Sequence, residues 1–219
     1  MQFDMRALPK ASRYKILGSC ITPRPIAWVT SLSAEGIANA APYSFFNVLG
    51  DDPPTVALGM LAHAEPRLKD TAANIRSSGE FVINLVDEAH AEAMNLTCID
   101  APPEVDEIAL AGLETIASSV VKPPRIATVP VSFECRVLHL IETGPRQIAI
   151  IAEILVAHVQ DIFVSDPQRL YLDTPAMKLI ARLHGAGWYS RKSDLFQMVR
   201  PKWSEIESGV PYCKPAGGA

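Results

Sequence analysis

The sequence predicts a mainly β fold, a largely antiparallel barrel with helices as additions, and three observations carry that prediction. Runs of β-branched and aromatic residues recur along the chain, separated by turn signals. Two long apolar runs, Val131 to Ile141 and Gln147 to Val159, flank one turn, Thr143-Gly144-Pro145-Arg146. The regular strand–helix alternation of a doubly wound parallel sheet is missing.

The elements follow in order. A helical stretch from Ser12 to Leu17 is closed by Pro23 and Pro25. Ile26 to Leu32 is a strand by its β-branched and aromatic content, and Ala34-Glu35-Gly36 is a hairpin loop with glycine where a positive φ is expected. The return strand runs from Ile37 to Tyr43. Asp51-Asp52-Pro53-Pro54 is a hard break before a buried strand, Thr55 to Leu61. Pro66 suits the first turn of a helix reaching Ser78, with Gly79 at its C-cap. Phe81 to Val86 is another strand and Glu88 to Thr97 another helix. Lys122-Pro123-Pro124-Arg125 separates these from the two long strands. No repeat, linker or composition shift divides the chain, so one domain over residues 1–219 is expected.

Composition narrows the function. With 48% hydrophobic and 20% charged residues over 219 positions, the chain buries a real core and is not a disordered protein. A net charge of −4 gives no global attraction to nucleic acid or to anionic lipid. The first residues lack the pattern of a signal peptide, and the apolar run Ile148 to Val159 falls short of the roughly 20 residues that cross a bilayer. Cys20, Cys98, Cys135 and Cys213 stand singly, which speaks against a zinc site and a disulfide frame. A cytoplasmic protein with neither membrane nor nucleic acid as partner is expected.

Familiar catalytic patterns are missing. The five histidines form no HxH, HExxH or helical pair, so no metal is expected, and there is no GxSxG elbow. GxGxxG after a strand and GxxxxGK[ST] are absent too. His139 and His158 read as core or edge histidines on apolar strands, and Cys98 and Cys135 as buried, inert thiols. Two stretches remain. In Asn39 to Phe46, backbone amides around Pro42 and Ser44 could bond the edge of a planar heterocycle, with Phe45 or Phe46 against its face. The same residue types serve equally as core and turn. In Glu65 to Ile75, Arg67, Thr71 and Asn74 share a helix face near its start, which suits a phosphate monoester and suits a solvated amphipathic helix too.

The run Pro23-Arg24-Pro25-Ile26-Ala27-Trp28-Val29-Thr30-Ser31, through Asn39-Ala40-Ala41-Pro42-Tyr43-Ser44-Phe45-Phe46 to Pro53-Pro54, followed by Arg67-x-Lys69-Asp70-Thr71-x-x-Asn74-Ile75 and Phe81-Val82-Ile83-Asn84, resembles the flavin reductase-like, FMN-binding split-barrel family, on its flavoredoxin-like side. The resemblance covers Tyr14 to Tyr189. It implies a split β-barrel homodimer with one FMN per subunit near the interface. By it, Thr30, Ser31, Asn39, Pro42, Ser44 and Phe45 would hold the flavin ring and ribityl chain, and Arg67, Lys69 and Thr71 the phosphate. His184 and Tyr189, in the glycine-bearing segment His184-Gly185-Ala186-Gly187-Trp188-Tyr189, would lie near the ring. The implied activity is reduction of flavin by NAD(P)H, with electrons passed to free flavin or a partner protein; the alternative is a flavoredoxin-like carrier without its own nicotinamide site. Hydride arrival at a flavin needs no dedicated general base, so no catalytic acid or base is named.

Overall fold

The structure, a computed structural model, describes residues 1–61, 70–102, 104–145 and 147–207. Its main element is a seven-stranded sheet of β1 (Ala27–Leu32), β2 (Ala38–Tyr43), β3 (Phe46–Asp51), β4 (Pro54–Leu61), β5 (Glu80–Leu85), β6 (Val131–Gly144) and β7 (Gln147–Val159). The strand order is β2-β1-β5-β6-β7-β4-β3, with every neighbouring pair antiparallel.

The two edge strands, β2 and β3, are consecutive in the chain and joined by Ser44 and Phe45 alone. Laid flat, the edges of such a sheet would stand about 29 Å apart at 4.8 Å per strand. Three Cα steps from Tyr43 to Phe46 reach at most about 11 Å. The sheet therefore curls until its edges meet at this corner, a barrel closed at one end of its edges and open along the rest. At the corner the Gly59 N–H donates to the Phe45 carbonyl over 2.7 Å, and a Cβ on Gly59 would lie 3.1 Å from that of Phe45. Register shifts between Ile151 and Ala152 and between Ile154 and Val156 bend the long β6–β7 pair around the barrel.

Alternation along β1 divides the interior. Ala27 and Val29 join Tyr43, Leu58, Met60, Phe81, Ile83 and Ile150 inside the barrel, under Ala72 and Ile75 of helix α2 (Asp70–Ser78). Trp28 points the other way into a second core with Met94, Ile108, Ile126 and Ile180, and its indole N–H donates to Thr97 Oγ1 at 2.9 Å. Burial on both sides is why β1 reads as a continuous apolar run rather than an alternating one.

Other elements match the expected order with shifted ends. Helix α1 spans Lys10–Cys20, α2 ends at Gly79 with φ +70°, and the Glu88–Thr97 helix divides into a 3₁₀ turn, Glu88–His90, and α3, Ala91–Leu96. Asp87 causes that division by accepting from the His90 N–H and from its ring. Two features depart from expectation. Strand β3 occupies residues to which the sequence pattern assigned no element. Cys98 is exposed because it lies past the outward-facing end of α3, while Cys135 is buried and burial pushes its thiol up. The proposed helix start at Pro66 lies outside the described residues. Among the described residues no helix is long and apolar enough to cross a membrane.

The irregular segment from Ala117 to Pro124 is tied down by one carboxylate. Glu134 on β6 is fully buried and accepts from the N–H groups of Ser119 (2.6 Å), Val120 (2.7 Å) and Val121 (3.2 Å), with His158 Nε2 at 2.6 Å. Burial alone would push this carboxyl up. The backbone bonds and His158 outweigh it and hold the group at about 2.

Gly59→Ala should cost about 1–3 kcal/mol in urea unfolding, because the added methyl must displace the Phe45 linker. An unchanged midpoint would mean the corner is slack. Glu134 has a lowered folded pKa, so its contribution of about 3 kcal/mol is present above the ordinary carboxylate range and is lost as pH falls from about 4.5 toward 2. Glu134→Gln should be less stable at neutral pH and should lose this acid-induced component. Parallel stability curves for the two proteins between pH 2 and 5 would contradict it.

Candidate functional site

The sequence-predicted site residues fall at two ends of the β1–β2 pair. Ser31 and Asn39 are cross-strand partners on the barrel's inner face, and α2 lies over them. Thr71 donates to Asn39 Oδ1 at 2.6 Å, Ser31 to the same oxygen at 3.4 Å, and Asn74 Nδ2 to Ser31 Oγ at 3.1 Å. Asn39 Nδ2 in turn donates to Glu107 Oε2 at 3.1 Å. Asn39 and Asn74 line a cleft of about 230 Å³ with Ser33, Glu35, Asp70 and Glu104, whereas Ser31 and Thr71 are buried behind them. None of the described lining residues is cationic. Arg67 and Lys69, the expected phosphate ligands, lie outside the described residues.

Thr30 is one residue from Ser31 and so points to the opposite face. Its hydroxyl donates to the Pro124 carbonyl at 2.5 Å, and Asn84, 3.4 Å away, donates to it. Thr30 thus meets the segment held by Glu134 and not the cleft.

The other end is the barrel's closing corner. Ser44 and Phe45 line an apolar cavity of about 420 Å³ with Leu17, Ile21, Phe46 and Ala57. Asn39 and Ser44 are five residues apart, about 17 Å of extended chain. Pro42 lies between them on β2, opposite Trp28, where an edge strand tolerates a missing N–H. Arg24 forms part of the cavity wall and is only 6% exposed. Its guanidinium donates to Ser44 Oγ (3.2 Å) and to the carbonyls of Gly18 (2.9 Å), Ile21 (2.8 Å) and Leu183 (3.1 Å), and lies 5.9 Å from the centre of the Phe45 ring. Among the described residues no carboxylate is bonded to this positive charge.

Through Leu183 the same arginine holds the hairpin that carries His184 and Tyr189. Gly185 and Gly187 take φ of +61° and +88°, and Arg182 donates to the carbonyls of Gly185 and Trp188, both at 2.8 Å. His184 and Trp188 are exposed, with ring centres 6.3 Å apart. Tyr189 is half-buried against the second core, with Arg182 over its ring at 5.0 Å. Sequence reasoning missed Glu107 and Arg24. Arg24 stood in the quoted Pro23-Arg24-Pro25 but was read as a boundary, and nothing near Glu107 signals its burial.

The description "Flavin reductase like domain" fits residues 18–179 of the chain. The 2-nitrobenzoate 2-nitroreductase NbaA of Pseudomonas fluorescens is 31% identical, covering 93% of this chain and 98% of its own, with a TM-score of 0.84. Nitrilotriacetate monooxygenase component B of Bacillus cereus is 30% identical over 90% of this chain and 98% of its own, also at 0.84. A protein with a split barrel domain from Shewanella frigidimarina, 20% identical over 92% of this chain and all of its own, superposes at 0.77 and shares the fold.

Glu107 gives the Asn39 network a pH dependence. Burial pushes its carboxyl up, and the bond from Asn39 opposes that only in part. A raised folded pKa means the folded state holds its proton longer than the unfolded one, so stability falls as pH rises through the interval above the usual carboxylate range. Glu107→Gln keeps an acceptor for Asn39 and should remove that fall, leaving the variant relatively more stable at neutral pH. Urea midpoints that track the parent at every pH would refute it.

Proposed function

The chain belongs to the flavin reductase like family, and we propose that it is an FMN-binding oxidoreductase that takes electrons from NAD(P)H and passes them to free flavin or a redox partner. The observation that carries this reading is the pairing, at two ends of one strand, of an apolar cavity at Ser44–Phe45 with a polar row in which Asn39 and Asn74 face the cleft and Ser31 and Thr71 stand behind them. The cavity suits an aromatic ring system, and the polar row suits a polyhydroxylated chain leading away from it. The fit is incomplete at the phosphate. Glu35, Asp70 and Glu104 border the cleft, so a phosphate there requires the cations of Arg67 and Lys69. The names of the first two structures described above, a nitroreductase and a monooxygenase component, agree with redox chemistry.

Bound FMN would supply hydride acceptance and electron delivery. The chain's own part is position and field. Ser31 and Thr71 orient Asn39, so that its amide is presented to the cleft in a fixed direction. Arg24 fixes Ser44 and brings a positive charge to the cavity wall, where negative charge on a reduced ring would be stabilised. Phe45 and Phe46 exclude water. Arg24 also ties the hairpin that carries His184 and Tyr189 to this corner through the Leu183 carbonyl. A homodimer is part of the reading, supported by exposed Leu138 and Ile141 on the long β6 strand, and a cytoplasmic location is where NAD(P)H would be met.

Purified protein should be yellow and release FMN on denaturation. Anaerobic NADH or NADPH should bleach the flavin band near about 450 nm, a property of the cofactor. Bleaching by dithionite alone would identify an electron carrier, and a colourless protein indifferent to FMN would end the proposal. Arg67→Ala with Lys69→Ala should weaken FMN binding about a hundredfold or more while changing riboflavin binding little. Equal losses for both ligands would show that the two residues support the fold.

A further inference from the structure

Helix α1 stands on the body by few attachments. Its 11 residues make a helix too short to be stable in isolation, so it depends on what it packs against. No side chain caps its N-terminus, its first turn holds no acidic residue and its last turn no basic one. Gly18 is its one buried residue, whereas α2 buries Thr71, Ala72, Asn74 and Ile75. Two contacts hold α1 at the closing corner. Arg24 donates through Nη1 to the carbonyls of Gly18 (2.9 Å) and Ile21 (2.8 Å), and the Tyr14 ring lies 6.0 Å from that of Phe45.

The face that α1 turns to the corner is apolar. Tyr14, Leu17, Gly18 and Ile21 follow at steps of three and four residues and so share it. Leu17 and Ile21 form part of the wall of the Ser44–Phe45 cavity, yet they remain 42% and 60% exposed. Folded interiors leave few voids larger than a water molecule. An apolar helix face aimed at its own body but left unburied therefore roofs the 420 Å³ of the cavity without filling it. Arg24 couples this roof to the walls, because the same guanidinium donates to Ser44 Oγ and to the Leu183 carbonyl. Tyr14 is also close to Tyr189, whose phenol is pushed up chiefly by burial, with Cys98 and Tyr14 adding to it against Arg182.

We propose that α1 is a lid on the Ser44–Phe45 cavity: it swings about Ile21-Thr22-Pro23 to admit a flat aromatic ring and closes over it, with Leu17 and Ile21 against the ring, Tyr14 at the rim and Arg24 as the latch. The proposal rests on the ring-binding reading above and adds the residues that control entry and release. Lifting α1 gives up two bonds from Arg24 and the Tyr14–Phe45 contact, and takes nothing from the cores, to which Tyr14, Leu17 and Ile21 do not belong. Such an opening lies at the low end of the range of local unfolding energies in a domain. A ring in the cavity covers Leu17 and Ile21, a contact made only when the lid is down. That difference between the two states is what lets a ligand draw the lid closed.

The test uses the full chain and riboflavin, which carries the ring without a phosphate. In ligand-free protein the α1 amides should exchange with deuterium about a hundredfold faster than those of β1, and saturating riboflavin should slow them about tenfold or more. Leu17→Ser with Ile21→Ser alters only exposed side chains, and should speed riboflavin release about tenfold while the melting profile of the ligand-free body persists. In a Cys20→Ser, Cys98→Ser, Cys213→Ser background, Leu17→Cys with Asn47→Cys and a short bismaleimide ties the lid across the cavity that both residues line. Tying before riboflavin is added should slow its association about tenfold, and tying afterwards should slow its release as much, whereas a linker that merely fills the cavity would expel the ligand. Amides of α1 as slow as those of β1, riboflavin binding that leaves α1 exchange unchanged, or parental rates of association and release in these variants would each overturn the proposal. A protein without affinity for riboflavin but with fast α1 exchange that the tie slows keeps the lid and loses the flavin, and riboflavin bound beneath a rigid α1 does the reverse.

Discussion

A two-residue connection between the edges of a seven-stranded sheet governs the rest of this molecule. Ser44 and Phe45 cannot span a flat sheet, so the sheet must curl, and the curl brings the β4 backbone at Gly59 against the linker. The same closure encloses the barrel core and turns Phe45 and Phe46 toward a cavity. Arg24 then fixes the corner from outside by gathering α1, Ser44 and the Leu183 carbonyl onto one guanidinium. Fold and candidate site therefore share a single constraint. A change at the corner acts on both.

Alternation along β1 and β2 decides what the remaining polar residues can do. Ser31 and Asn39 face the inside end of the barrel and meet α2, whereas Thr30 faces the second core and the segment anchored by Glu134. A buried polar group without a partner costs more than a hydrogen bond gains, so the network of Ser31, Asn39, Thr71, Asn74 and Glu107 has to be satisfied as a set. Tyr43, buried in the same barrel, keeps a hydroxyl without a bond of ordinary geometry beside Thr71, and burial pushes that phenol up. The network is nearly closed on itself, and its outward-facing members are the two asparagines.

Much of this was legible in the residues. The long β6–β7 hairpin, the Ile26–Leu32 run and the glycine at the end of α2 declare themselves by apolar pattern and turn chemistry, because local preference and tertiary burial agree there. Strand β3 was not legible: its Val48 and Leu49 point to solvent, and its pairing with β4 is fixed by barrel closure and not by its own pattern. The separation of Thr30 from Ser31 was not legible for a related reason, since spacing says that neighbours diverge but not which face meets the cleft. Glu107 lay beyond reach because its burial depends on contact with β2, some seventy residues away in the chain.

Electrostatics set the two ends of the site apart. At the corner, one buried arginine lends positive charge to an apolar wall, and low polarity around it strengthens its field. At the cleft, carboxylates border the asparagines, and the field there is negative unless basic side chains turn in. A ligand that is flat and electron-accepting at one end and anionic at the other would meet a favourable field at the corner and depend on the start of α2 for the rest. Selectivity for the anionic end would thus reside in the few residues that precede Asp70, while affinity for the ring would reside in the closure of the barrel itself.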